Sequence, residues 1–275
     1  MLKLTDPDYR LPKIEALMSF DIMDTGTTQP MAVRGVDRET GKRGQFVLKF
    51  HNANRMTPKS SCREFLGAWM AMELGIKVVE PVLINISQAF VNTLKGKDGF
   101  LAAQQSMGPN FGSVYEAGFA ILPVRKFSME KEFIELAKMI FMFDMLISNA
   151  DRGAGKPNLL SNEQDILLLD HELAFSFMDL LSFSKNKTPW IMGTAESEMY
   201  KKHYFYPILK DKEYDFTQQV ESLDCFTNNN FWSKASETLP QEWQYNELTE
   251  IQSHITSIVH YKYVFAEQLT KILSR

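Results

Sequence analysis

The chain has 275 residues, 44% of them hydrophobic and 23% charged, which supplies apolar material for a sizeable core and excludes a globally disordered chain. A formal net charge of -4 at pH 7 argues against nucleic acid as a dominant partner, because phosphate binding draws on clustered Lys and Arg. Two cysteines, Cys62 and Cys225, are too few for a disulfide framework, and the early acids of MLKLTDPDYRLPKIEAL interrupt any signal-peptide core, so a soluble cytoplasmic protein is expected.

The first third reads as strands and turns. Phe20 to Asp24 precedes a polar turn, Thr25-Gly26-Thr27-Thr28-Gln29-Pro30. Met31 to Val36 and Gln45 to Phe50 then flank the charged turn Asp37 to Gly44, which predicts a hairpin. From Ser61 to Gly75 the apolar residues Cys62, Phe65, Leu66, Trp69, Met72 and Leu74 recur at near-helical spacing. Ser61 with Glu64 forms a candidate capping box, and Gly75 a C-terminal stop. Further strands are expected over Val78 to Ile86, Gln88 to Leu94 and Phe100 to Gln105.

Beyond about residue 108 the pattern is mainly helical. Phe133 to Ser148 is apolar on nearly every side, as a helix buried in the middle of a lobe would be. Its apolar part contains Glu135, Lys138 and Asp144 and is too short to span a bilayer, so no membrane partner is expected. Asp165 to Asp170 reads as a short buried strand. Glu247 to Ile272 places Leu248, Ile251, Ile255, Ile258, Val259, Phe265, Leu269 and Ile272 on one face of a closing helix. Residues 180 to 245 are aromatic and irregular and carry no motif. A strand-rich first part and a helical second part imply an α+β, two-lobed protein.

Between the buried helix and the short strand lies SNADRGAGKPN, where Asn158 follows Asp151 by seven positions and Asp170 follows Asn158 by twelve. Each of these residues alone is a common turn former. In this order, framed by apolar runs, they match the parts of phosphoryl transfer from ATP. Asp151 would orient the acceptor hydroxyl, and Asn158 and Asp170 would offer hard oxygens to Mg²⁺. Arg152 would neutralise phosphate charge or hold the loop. Lys49 is a lone cation in the apolar strand FVLKF, with Glu64 on the following helix as its candidate ion-pair partner. The turn Thr25, Gly26, Thr27, Thr28 and Gln29 would present backbone N–H groups and hydroxyls to the β- and γ-phosphates. His171 is read as a packing residue that holds Asp170 or the loop backbone.

The segment NADRGAGKPNLL…ILLLDHELAF resembles the HipA-like kinase family, through Asn149, Asp151, Arg152, Pro157, Asn158, Leu159, Leu160, Leu169, Asp170 and His171. TGTTQPMAVRG…GQFVLKF and SCREFLGAWMAMELGIKVVEP are similar to that family's phosphate loop, lysine strand and following helix, so the resemblance covers about residues 15 to 180. It implies a protein-kinase-like, or phosphoinositide-kinase-like, two-lobed fold. Residues 1–106 would form the N-lobe, with phosphate loop, Lys strand and Glu helix, and residues 107–275 the C-lobe.

It also implies ATP and Mg²⁺ as cofactors, with Lys49, Asp151 and Arg152 catalytic, Asn158 and Asp170 on the metal, and Glu64 beside the nucleotide. The adenine hinge would lie near Gln104 to Met107, with Gln104 a nucleotide contact. The acceptor would be Ser or Thr of a protein; a small-molecule or lipid kinase and a non-catalytic pseudokinase are the alternatives. The chain departs from ordinary protein kinases in the longer Asp-to-Asn spacing, in Asp-His-Glu where Asp-Phe-Gly is usual, and in the single glycine of the phosphate turn.

Overall fold

Five strands close into a barrel, and most of the described helices follow it in sequence. The computed structural model describes residues 1–22, 29–52, 56–122, 130–162, 164–180, 186–193, 196, 200–243 and 245–274. β1 (Lys13–Ile22), β2 (Met31–Asp37) and β3 (Arg43–Leu48) form an antiparallel meander. The expected hairpin is its second half, with Met31 opposite Leu48 and Val36 opposite Arg43. β5 (Gly108–Val114) joins β3 to β4 (Pro81–Ile86), and β4 closes the ring by running parallel to β1. The inward side chains Ile14, Val33, Phe46, Leu48, Val82 and Ile84 pack together as period-2 alternation requires.

α1 (Pro58–Glu73) lies between β3 and β4 in sequence. Its start differs from expectation. Thr57 is the cap, accepting the Ser60 N–H at 3.1 Å with Pro58 in the first turn, so Glu64 is released from the role of capping residue to Ser61. Gly75 ends the helix as expected, at φ +74, with its N–H on the Met72 carbonyl and the Ile76 N–H on that of Ala71.

Two expected strands are helices. Gln88–Thr93 forms α2, capped by Ser87 and supported by Gln88 Nε2 donating to Asn92 Oδ1 at 3.3 Å. Phe100–Gln105 forms α3, an Ala-containing run opened by Gly99 at φ +80 that buries Ala103. Short apolar runs fit either period, and here local capping decides. β5 follows α3, so the barrel extends to Val114, past residue 106.

α4 (Lys131–Leu146) is the expected buried helix; Ile140, Phe141, Met142, Phe143 and Leu146 are fully covered. A small sheet brackets it in sequence, β6 (Ala120–Ile121) before the helix pairing with the β7 (Leu159–Ser161) and β8 (Ile166–Leu168) hairpin after it. Further on, α5 (Tyr206–Leu209), α6 (Thr217–Glu221) and α7 (Asn229–Thr238) pack with α8 (Leu248–His260) and α9 (Lys262–Leu273). The single closing helix expected over 247 to 272 is broken at Tyr261, whose ring stacks on Trp190 at 3.9 Å. α1 belongs to this larger core and also reaches the barrel, where Phe65 meets Phe111 of β5 edge-on at 4.8 Å. Among the described residues, no helix is long and apolar enough to cross a membrane.

Candidate functional site

The β7–β8 hairpin sets the geometry. Leu159 pairs with Leu168, and the Leu169 N–H reaches the Asn158 carbonyl at 3.2 Å, so Asn158 and Asp170 emerge at the same end. Both are left-handed, at φ +49 and +62, a conformation that costs a non-glycine residue about 1–3 kcal/mol unless its surroundings enforce it. The enforcing group on the inner side is Arg152. Its Nη1 donates to the Asn158 carbonyl at 2.6 Å and reaches the Leu169 carbonyl at 3.5 Å, pinning both strand ends from behind.

Arg152 is itself held by Asp144 of α4, Nε to Oδ2 at 2.6 Å, with neither side chain exposed. His203 Nε2 lies 2.9 Å from the same oxygen, and Asn149 Nδ2 donates to Asp144 Oδ1 at 2.9 Å. His203 Nδ1 accepts the Phe205 N–H, which fixes the proton on Nε2, facing Asp144. Burial works against the Asp144 carboxylate, but the Arg152 charge and the His203 hydrogen bond outweigh it and lower its pKa to about 2. Burial also pushes the His203 imidazole down, keeping it neutral. Arg152 therefore holds the loop, one of the two roles its sequence position allowed.

On the outer side the charges are arranged differently. Lys49, just past β3, pairs with Glu64 of α1, with Asp170 at 2.9 Å and with Glu172 at 3.5 Å. Lys156 bridges Asp151 Oδ2 at 3.0 Å and Asp170 Oδ2 at 2.9 Å. Asn158 Nδ2 donates to Asp151 Oδ2 at 3.1 Å and to its carbonyl at 3.2 Å, leaving Oδ1 as the acceptor end of the amide. Burial opposes the Lys49 ammonium, yet Asp170, Glu64 and Glu172 together raise its pKa. Burial likewise opposes the Asp170 carboxylate, and Lys49 and Lys156 hold it below the usual carboxylate range. Burial pushes Glu64 and Glu172 up, with the neighbouring acids adding to the effect. Four carboxyl groups share two lysines here, and Glu64, Asp170 and Glu172 each offer an oxygen within 4.8 Å of the others, a grouping that could hold a metal ion.

α1 fixes this cluster from one side. Glu64 Oε2 accepts the His171 N–H at 2.7 Å, directing Asp170 beside it. Gly67, one turn later, permits the approach; a Cβ there would lie 2.6 Å from His171 Cβ. A mid-helix glycine costs roughly 1 kcal/mol, and the His171 contact supplies a reason for it. Burial and the Arg152 charge lower the His171 pKa to about 3, so it is a neutral packing residue.

The structure thus brings together Lys49, Glu64, Asp151, Asn158 and Asp170, with Arg152 behind them. Thr25, Gly26, Thr27 and Thr28 lie outside the described residues. Gln29 is exposed at φ +45. Gln104 is exposed in α3, ahead of β5, and no described contact joins it to the cluster. Sequence reasoning missed Lys156, Glu172, Asp144 and His203. The first two stand inside the motif-bearing segments and were legible as charges there; His203 comes from a stretch with no pattern.

A model of HipA-like kinases matches residues 20–265, nearly the whole chain. The chain belongs to the HipA-like kinase family. A search of curated proteins gives no match. The match extends well beyond residue 180 and takes in α5 to α8, where the residues themselves offered no motif.

Proposed function

We propose that this HipA-like kinase uses ATP and Mg²⁺ to transfer the γ-phosphate to a hydroxyl, of Ser or Thr in a protein. The observation that carries the reading is the convergence of Lys49, Asp151, Asn158 and Asp170 from separate segments onto one acid-rich cluster. In this reading the barrel with α1 is the N-lobe, the helical remainder is the C-lobe, and the nucleotide lies between them. The division then falls after Val114 rather than at residue 106, and the adenine hinge follows β5, displacing Gln104 from that role.

Lys49, aligned by Glu64, orients the α- and β-phosphates. Asp151 accepts the proton of the acceptor hydroxyl as its oxygen bonds to the γ-phosphorus and the bond to the ADP oxygen breaks. Lys156 moves from the two aspartates to the transferring phosphoryl oxygens, whose charge it offsets. The donor set fits a hard divalent ion: Asp170 offers a carboxylate and Asn158 an amide oxygen turned away from Asp151. Mg²⁺ held there would supply positive charge to the phosphates. Thr25 to Gln29 would cover them with backbone N–H groups.

The test is transfer of labelled γ-phosphate from ATP to the protein itself and to a fractionated protein mixture, with Asp151→Asn as control. Label on Ser or Thr that disappears in the variant supports the reading. Label appearing only in small molecules or lipid replaces the acceptor class, and no label with intact ATP binding leaves a binding module.

A further inference from the structure

α1 is held from two sides. On one side Glu64 and Gly67 meet His171. On a neighbouring face stand Lys59 and Arg63, four residues apart and so adjacent on the helix. Arg63 is buried to 4% exposure, an unusual place for a guanidinium without a dedicated partner. It has two. Nη1 donates to Asp179 Oδ2 at 2.7 Å, and Nη2 donates to Asp179 Oδ1 at 3.1 Å and Glu247 Oε2 at 3.2 Å. Lys59 Nζ joins the same acids, at 3.0 Å from Asp179 Oδ1 and 2.5 Å from Glu247 Oε1.

The two acids come from distant parts of the chain. Asp179 ends the short turn Ser176–Asp179, which follows Asp170 by a few residues. That turn is tied to the start of the Asp151 segment: Phe175 N–H donates to the Ile147 carbonyl at 2.7 Å and Ser176 Oγ to the Ser148 carbonyl at 2.8 Å. Glu247 precedes α8, and just before it Trp243 packs against Phe65, the residue after Glu64, with ring centroids 6.0 Å apart. A continuous path of contacts therefore runs from Ser148 through Ser176 and Asp179 to Arg63, the immediate neighbour of Glu64. A forked guanidinium–carboxylate contact fixes direction as well as distance.

We propose that Arg63 is a positioning residue: with Lys59, Asp179 and Glu247 it forms a latch that sets α1 so that Glu64 reaches both Lys49 and the His171 N–H. The motif-free end of the chain, through Glu247, thereby holds the lysine–glutamate pair in register. The consequence for turnover rests on the kinase reading above; the latch itself does not.

Amide hydrogen exchange over residues 169–174 tests it without substrate. Arg63→Met should speed exchange there about tenfold relative to wild type, because the His171 N–H loses its fixed acceptor. Arg63→Lys, which keeps the cation and loses the fork, should fall between the two. Asp179→Asn combined with Glu247→Gln should reproduce the Arg63→Met pattern, and decides the matter if Arg63→Met does not fold. In phosphate transfer, Arg63→Met should lower kcat more than it changes KM for ATP, and should add little in a Glu64→Gln background. Wild-type exchange at 169–174 in both Arg63→Met and the double variant, with faster exchange confined to 176–179 and 245–250, would overturn the latch. A protein that transfers no phosphate but shows the predicted exchange keeps the latch and loses the kinase reading.

Discussion

Two charged clusters sit back to back across the loop from Asn149 to Asn158, and they differ in completeness. Behind the loop, Asp144 meets Arg152, His203 and Asn149; both its oxygens are engaged and nothing is exposed. In front, Glu64, Asp151, Asp170 and Glu172 share Lys49 and Lys156, with Lys156 partly exposed and acid in excess. A closed network with matched donors and acceptors holds a backbone in place. An open one with unmatched carboxyl groups has donors left over for a ligand. The strained φ values of Asn158 and Asp170 lie where the first cluster presses on the second.

Breaking the closed cluster should have the largest effect on the molecule. Asp144→Ala leaves Arg152 buried without its acid, and should destabilise the fold by about 3–5 kcal/mol, read as a fall in the urea midpoint. A change below about 1 kcal/mol would erase the distinction between the clusters. In the open cluster, Asp151→Asn should leave folding and ATP binding intact while phosphate transfer drops by about 10²–10⁴-fold. Lys156→Met should cost turnover about ten- to a hundredfold, the scale of one charged hydrogen bond of about 1.5–3 kcal/mol, with little change in stability for so exposed a group. The last effect concerns pH and is spread over several units, so that it is small at any one step. His171 and His203 have folded pKa values below their unfolded ones, so the unfolded chain binds more protons in acid. Their contribution is present above the unfolded value, near pH 6.5, and for His171 is lost as the pH falls toward about 3. The slope should be up to about 1.4 kcal/mol per pH unit per histidine. Replacing His171 with an apolar residue that folds should flatten the profile.

Most of the front cluster, though not Lys156 or Glu172, was legible in sequence because its parts sit beside strong patterns. Lys49 interrupts an apolar strand, Glu64 lies on a helix with clear period, and Asp151, Asn158 and Asp170 border the buried α4 and the β7–β8 hairpin. Of the back cluster only Arg152 and Asn149 were singled out. Asp144 looked like an interruption of an apolar helix, and His203 reaches it only through tertiary packing that no spacing announces. The α2 and α3 regions misled for another reason. Six-residue segments with only three or four apolar residues, QAFVNT and FLAAQQ, fit a strand or a single helical segment equally, and Ser87 and Gly99, which open the helices, lie outside them. The strand β5 was not anticipated because Gly108 and Pro109 open a segment that otherwise reads as a turn.

The central claim is that Asp170 stands at a nucleotide site dependent on a divalent ion. Thermal unfolding of wild type and Asp170→Ala, with ATP in the presence and absence of Mg²⁺, tests it most directly. At a ligand concentration about a hundred times Kd, binding to the native state alone stabilises by about 2.7 kcal/mol. That is a rise of roughly 5–10 °C for a domain of this size. The account predicts this rise for wild type with ATP and Mg²⁺ together, and its loss in Asp170→Ala. An equal rise in both proteins, or none in wild type at millimolar ATP and Mg²⁺, would contradict it.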